Sequence, residues 1–204
     1  DFHREREADV TVAALPVPLD EARSFGVIVA DHAGRVSEFQ EKPANPTSMP
    51  SDPTRAYASM GNYLFDAKVL VEALKAANDR DEHDFGHHVL PQLKETHRLF
   101  AYDFATNKVP GVKPSEEQAY WRDVGTLDAY FSAHQDMLAW PPRFNVFNPQ
   151  WRIFSSNYQG PVARILEATV RNSVIAAGSL VHQASITNSI IRREVFIEDD
   201  VVIE

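Results

Sequence analysis

The chain has 204 residues, 44% of them hydrophobic, with a formal net charge of −9 and no cysteine. That length and apolar content suit one ordinary domain plus part of another and exclude a disordered chain. The acidic balance and the lack of any Lys/Arg block argue against nucleic-acid binding, the missing thiols exclude disulfides and thiolate metal sites, and no apolar run approaches the roughly 20 residues of a membrane-spanning helix. The polar opening DFHREREAD lacks the hydrophobic centre of a signal peptide, so the cytoplasm is the default expectation.

In chain order, DVTVAAL (9–15) predicts a strand, and GVIVA (26–30) with RVSEFQ (35–40), joined by DHAG, predicts a hairpin. The following PANPTSMPSDP holds Pro43, Pro46, Pro50 and Pro53, which remove ladder donors and predict an extended surface loop. SMGNYLF (59–65) predicts a strand. Asp66 then caps a helix whose apolar face is expected to be Ala67, Leu70, Val71, Leu74 and Ala77. Asp84 is placed to cap a shorter helix through VLPQL, RLFAYDF (98–104) reads as a strand, and Thr126 caps a helix with Leu127, Tyr130, Phe131, His134 and Leu138 on one face. Strands alternating with helices predict an α/β sheet, with ligands collecting at strand ends and in the turns that follow.

From about residue 140 prolines and Trp140 and Trp151 break the periodicity, which predicts a connector. Beyond it Val170, Ile175, Leu180, Ile186, Ile191, Ile197 and Val202 recur every five or six residues, the spacing of a parallel β-helix with one aliphatic residue pointing inward per short strand. The expected organisation is a catalytic-type domain over 1–139, a connector over 140–164 and the first coils of a β-helix over 165–204. Opening on Asp1 and closing on VVIE inside a repeat, the chain is expected to be a fragment.

Four stretches can carry chemistry. In YWRDVGT (120–126), Asp123 reads either as a solvated partner of Arg122 or as a carboxylate that holds Mg²⁺ against a phosphate, with Gly125 permitting close backbone approach. In EKP (41–43), Lys42 and Glu41 are either an exposed ion pair or a phosphate anchor beside a sugar-hydroxyl acceptor. ASMG (58–61) offers the Ser59 hydroxyl and a permissive Gly61 at a strand entry. In HDFGHH (83–88) the i, i+4 pairs His83/His87 and Asp84/His88 suggest a metal, but no third ligand stands at a recognisable spacing, and a helix start capped by Asp84 is the favoured reading. His182, the single histidine of the repeat region, is expected at a surface turn.

Taken in order, PVP…FGV, FQEKPANP, ASMGNYLFD, HDFG, YWRDVGTLDAY and the hexapeptide-type tail resemble the bacterial ADP-glucose pyrophosphorylases, the glucose-1-phosphate adenylyltransferases, over nearly the whole chain. The resemblance implies a Rossmann-like nucleotidyltransferase domain, here partial, followed by the start of a left-handed parallel β-helix. It implies synthesis of ADP-glucose and pyrophosphate from ATP and glucose 1-phosphate for glycogen or starch. Lys42 would hold the sugar phosphate, with Glu41 and Ser59 on the sugar and Gly26 lining the same pocket. Asp84, Phe85 and Trp121 would complete the sugar side, and Asp123 would be one of a pair of aspartates on Mg²⁺. Family members also carry a Gly-rich nucleotide loop and the other aspartate ahead of the segment matched here, so the fragment alone is expected to be inactive and the full-length protein to be a homotetramer. Two alternatives stay open: a non-catalytic regulatory subunit of the family, and a relative using another nucleotide or sugar phosphate.

Overall fold

The computed structural model describes residues 1–154 and 157–204. The chain forms two compact units, Asp1–Asn107 and Lys108–Glu204. Of the expected connector 140–164, residues 155 and 156 lie outside the described residues.

The first unit is a mixed five-stranded sheet in the order β3-β2-β4-β1-β5. Its strands are β1 (Val10–Pro18), β2 (Gly26–Ala30), β3 (Val36–Glu41), β4 (Arg55–Phe65) and β5 (Leu99–Asp103). β1 runs parallel to β5 and antiparallel to β4, and β2 is antiparallel to both β3 and β4. Short helices α1 (Phe2–Glu5) and α2 (Leu19–Ala22) flank β1. The hairpin of β2 and β3 forms as expected, with Asp31 at its turn accepting from the Ala33 and Arg35 amides.

Two strands run longer than their sequence patterns. β1 continues through Pro16 and Pro18, because β5 pairs only with Val10–Ala14 and the remainder of β1 has a partner on one side alone. A proline there removes no needed donor. β4 begins at Arg55, so Ser59 and Gly61 sit inside the strand rather than at its entry. Val12 faces Tyr63 while Ala14 faces Ser59, which leaves surplus residues on β4 bulging around Gly61 at φ +69°. Nothing lies within 4 Å of a Cβ built at Gly61, so the glycine is required there by its left-handed backbone rather than by crowding.

Helix α3 (Ala67–Asn78) is capped by Asp66, whose side chain accepts from the Lys68 and Val69 amides. Its buried stripe is rotated from the expected one. Val69, Ala73 and Ala77 pack on the core and Leu70 is half-buried, whereas Ala67 is exposed and Val71 and Leu74 keep 50% and 43% of their surface. Residues four apart form a ridge, and small side chains along it bring the helix axis close to the layer beneath. The core that results gathers Val10, Val12, Ile28, Leu90 and Leu99 between sheet and helices, including α4 (Leu90–Leu93).

An ion-pair cluster ties the start of β1 to the start of β5. Arg98 donates to both carboxylate oxygens of Asp9, and the Asp9 carboxylate also accepts the Arg98 amide at 2.8 Å. These bonds hold Asp9 below the usual carboxylate range. A carboxyl group depressed on folding adds stability above its unfolded value, and that stability is lost as the pH falls through the folded one. Acid unfolding below about pH 4 should therefore be blunted in Asp9→Asn, as read by circular dichroism against pH.

In the second unit, α5 (Leu127–Leu138) is capped by Thr126, whose hydroxyl accepts from the Ala129 amide at 3.1 Å. The repeat region then lays short parallel strands into three small sheets. β6 (Arg164–Leu166), β9 (Leu180–His182) and β12 (Phe196–Ile197) form one, β7 (Thr169–Arg171), β10 (Ser185–Thr187) and β13 (Val202–Ile203) another, and β8 (Val174–Ile175) with β11 (Ile190–Ile191) the third. Ile186, Ile191 and Ile197 are buried as expected. Val181 and Ile203, not Leu180 and Val202, supply the inward side chains of β9 and β13. Side chains alternate along a strand, so a reading displaced by one residue selects the opposite face. Ile186 is fully buried, and Ile186→Ala should lower stability by about 2–5 kcal/mol, read as an earlier thermal transition.

Candidate functional site

A cavity of about 440 Å³ opens on the first unit. Gly26, Glu41, Ser59, Asp84 and Phe85, which come from β2, β3, β4 and the turn before α4, line it together. Their convergence follows from the sheet order. β2 lies between β3 and β4, so the start of β2 faces the end of β3 in the register Gly26 to Glu41. A Cβ on Gly26 would stand 3.2 Å from the Glu41 carboxylate, so the absence of a side chain there is what lets that carboxylate lie across β2.

The opposite wall is aromatic. Asp84 caps a π-helical turn, Phe85–Val89, accepting from the His87 amide at 2.7 Å. The cap fixes Phe85, whose ring stacks on Tyr63 at 5.7 Å and meets Phe65 edge-on at 5.9 Å. Tyr63 lines the cavity and was not among the residues singled out from the sequence. Its signal was present in the strand pattern, since it lies on β4 two positions beyond Gly61 and four beyond Ser59. Phe39 and Gln40 of β3 also line the cavity. The combination is an apolar wall faced by a carboxylate and a hydroxyl, the form a site for a polyhydroxylated ligand takes.

Lys42 follows Glu41 but is not among the lining residues. Its backbone is left-handed, φ +42°, held by a bond from its amide to the Phe25 carbonyl at 3.2 Å. A lysine in that region breaks the alternation of β3 and re-aims the side chain at the strand's end. Lys42 is exposed and makes no ion pair among the described residues, so the exposed pair with Glu41 raised by the sequence does not form. His83 pairs with Asp81 at 3.0 Å, and the His88 ring accepts from the Asp84 amide at 3.3 Å.

Trp121 and Asp123 belong to the second unit. Asp123 is exposed, and its Oδ1 accepts from the Gly125 amide at 3.2 Å in a tight local turn. The pairing with Arg122 that sequence proximity suggested is not made. Arg122 turns instead to Glu117, donating to both carboxylate oxygens at 2.7 and 2.6 Å, and to Asp136 at 2.9 Å, while its guanidinium lies 4.4 Å from the Tyr120 ring centre. The Arg122 bonds hold Glu117 below the usual carboxylate range, and the Glu117 bonds raise Arg122 above its already high value. Burial first, then the Asp136 charge, pushes the Tyr120 phenol up.

Mg²⁺ takes one or two protein carboxylates and completes its shell with water and phosphate oxygens. Asp123 fits that role as a single ligand, and no group of three or more His, Asp or Glu able to enclose a metal occurs among the described residues. No helix among them is long and apolar enough to cross a membrane.

The first unit is a mixed α/β sheet with a polar-lined cavity, and the model of the nucleotidyl transferase family matches residues 1–139; the chain belongs to that family. It is similar to curated glucose-1-phosphate adenylyltransferases: 50% identical to that of Thermodesulfovibrio yellowstonii over 204 residues, 45% to that of Mycobacteroides abscessus over 207 and 41% to that of Thermus thermophilus over 214. Each alignment covers all of this chain and 50%, 51% and 51% of the relative, so the chain spans about half the length of the curated relatives it matches.

Proposed function

We propose that the protein is a glucose-1-phosphate adenylyltransferase, joining ATP and glucose 1-phosphate to give ADP-glucose and pyrophosphate in glycogen or starch synthesis. The observation that carries this reading is the convergence of Gly26, Glu41, Ser59, Asp84 and Phe85 on one cavity, in a chain that aligns throughout with adenylyltransferases of that name.

In this reading the sugar ring lies against Phe85 and Tyr63, and Glu41, Ser59 and Asp84 hydrogen-bond its hydroxyls, while Trp121 is proposed as a sugar contact on the resemblance alone. The Lys42 ammonium, which makes no ion pair among the described residues, neutralises the sugar phosphate. An oxygen of that phosphate attacks the α-phosphorus of ATP, a new P–O bond forms, and the bond to the β-phosphate oxygen breaks to release pyrophosphate. Both reactants are polyanions, so placing them together and offsetting their charge is the main contribution the protein makes. Asp123 would ligate Mg²⁺, which when bound supplies positive charge to the phosphates. No covalent enzyme intermediate is required.

The repeat region is read as the beginning of a left-handed parallel β-helix. Support comes from the sixteen-residue parallel registers, Arg164 to Leu180 to Phe196, and from positive-φ residues recurring at matched corners, Asn172 and Asn188 among them. By the same resemblance the whole protein is proposed to be a cytoplasmic homotetramer.

The test is Mg²⁺-dependent formation of labelled ATP from pyrophosphate and ADP-glucose by the full-length protein, with UDP-glucose as control. Turnover of ADP-glucose alone supports the reading. Turnover of UDP-glucose alone would reassign the nucleotide, and a folded protein that binds glucose 1-phosphate without turning over either sugar nucleotide would be a regulatory subunit.

A further inference from the structure

No helix or strand spans residues 107–126, so no ladder of backbone bonds holds the segment that carries Trp121 and Asp123. Asn148 secures the start of this stretch by donating to the Pro110 carbonyl at 2.8 Å, and the Glu117 amide reaches the Arg143 carbonyl at 2.9 Å. Between Glu117 and Thr126, the Arg122 side chain makes several contacts at once. It grips Glu117 with two guanidinium nitrogens' worth of donors, Asp136 of α5 through Nε, and the Trp121 carbonyl through a further bond at 2.9 Å. Its face is covered by Tyr120, which stacks on Phe144 at 4.7 Å and also donates to Asp136 at 3.2 Å.

We propose that Arg122 is a positioning residue: its clamp on Glu117, Asp136 and Tyr120 holds the flanking Trp121 and Asp123 in the arrangement that meets the sugar nucleotide. The inference rests on the function proposed above. Arg122 spends its donors inward, on groups of its own unit, and so is not itself offered to a ligand. Its two neighbours lie on a segment otherwise without regular structure. The helix supplies the anchor, since Asp136 retains only 14% of its side-chain surface and cannot swing away.

The geometry requires arginine. A planar fork can meet a carboxylate with two donors, reach another through Nε and stack on a ring at once, whereas a lysine ammonium has the charge but not the fork. Arg122→Lys therefore preserves charge and removes the clamp. Asp136→Asn weakens the same clamp from α5 without touching the segment.

In the full-length protein, both variants are expected to lower kcat by about 10- to 100-fold, the scale of a 1 Å misplacement, and to raise the Mg²⁺ concentration for half-maximal rate. The effects should not multiply in the double variant, because each change breaks the same clamp. Amide hydrogen exchange of the peptide 118–126 should accelerate in both, with the thermal midpoint still above the assay temperature. Kinetics and exchange unchanged within twofold in the folded variants would overturn the proposal. A wild-type protein silent on every sugar nucleotide would remove the functional reading instead, while the exchange experiment still decides whether Arg122 orders the segment.

Discussion

Asp123→Asn in the full-length protein is expected to lower kcat by about 10²–10³-fold at saturating substrates, with KM for glucose 1-phosphate changed far less. Asparagine keeps the size of the side chain and an oxygen able to accept from the Gly125 amide, so the local turn survives. What it removes is the negative charge of the proposed Mg²⁺ ligand. Charge develops on the transferring phosphoryl group and the departing pyrophosphate in the transition state, so losing that ligand is felt in turnover more than in binding. Steady-state kinetics across a Mg²⁺ titration check this, with circular dichroism to confirm folding. Turnover within threefold of wild type would make Asp123 a turn residue and nothing more.

Lys42→Ala should do the opposite in kind. The ammonium is exposed, unpaired among the described residues and carried on a left-handed backbone at the end of β3. A point charge that holds the sugar phosphate before and during reaction contributes uniform binding, so its removal should raise KM for glucose 1-phosphate by about 10- to 100-fold while KM for ATP moves little. Alanine is also compatible with folding, because Lys42 makes no ion pair among the described residues that would be broken. Equal increases in both KM values would refute its assignment to the sugar phosphate.

Much of the first unit was legible because its signals are local. Asp66 before an apolar-periodic run, DHAG between β-rich segments, and a proline-crowded loop each specify their structure within a few residues. That β1 and β4 are strands is visible too, but their lengths are not, since Pro16 is tolerated only when the neighbouring strand stops at Ala14, a fact about pairing across the sheet. The buried face of α3 likewise depends on which ridge meets the core. Side-chain periodicity allowed Val71 and Leu74 on the inner face, and packing chose Val69 and Ala73.

The site divides along the same line. Gly26, Glu41, Ser59, Asp84 and Phe85 could be named from short motifs, yet only the sheet order brings them to one cavity. Tyr63 was missed because an aromatic on a strand reads as core until its neighbours are known. Adjacency in sequence offers Asp123 as one candidate partner for Arg122. Its actual partners, Glu117 and Asp136, stand five and fourteen residues away and cannot be paired from one sequence.

The left-handed corners of the repeat region bear on how such a protein can change length. Ile165, Val181 and Ile197 stack in register, and any insertion within a strand would turn the following aliphatic side chain out to solvent. Corners have no such parity to keep. The last turn illustrates it: Ser185 pairs with Val202, one residue further than the spacing of the turn before, and the surplus falls between Ile197 and Asp200, where Asp200 adopts φ +63°. Sequence drift in this region is thereby channelled to the corners, which can grow loops and new surface while the aliphatic column beneath them keeps its count.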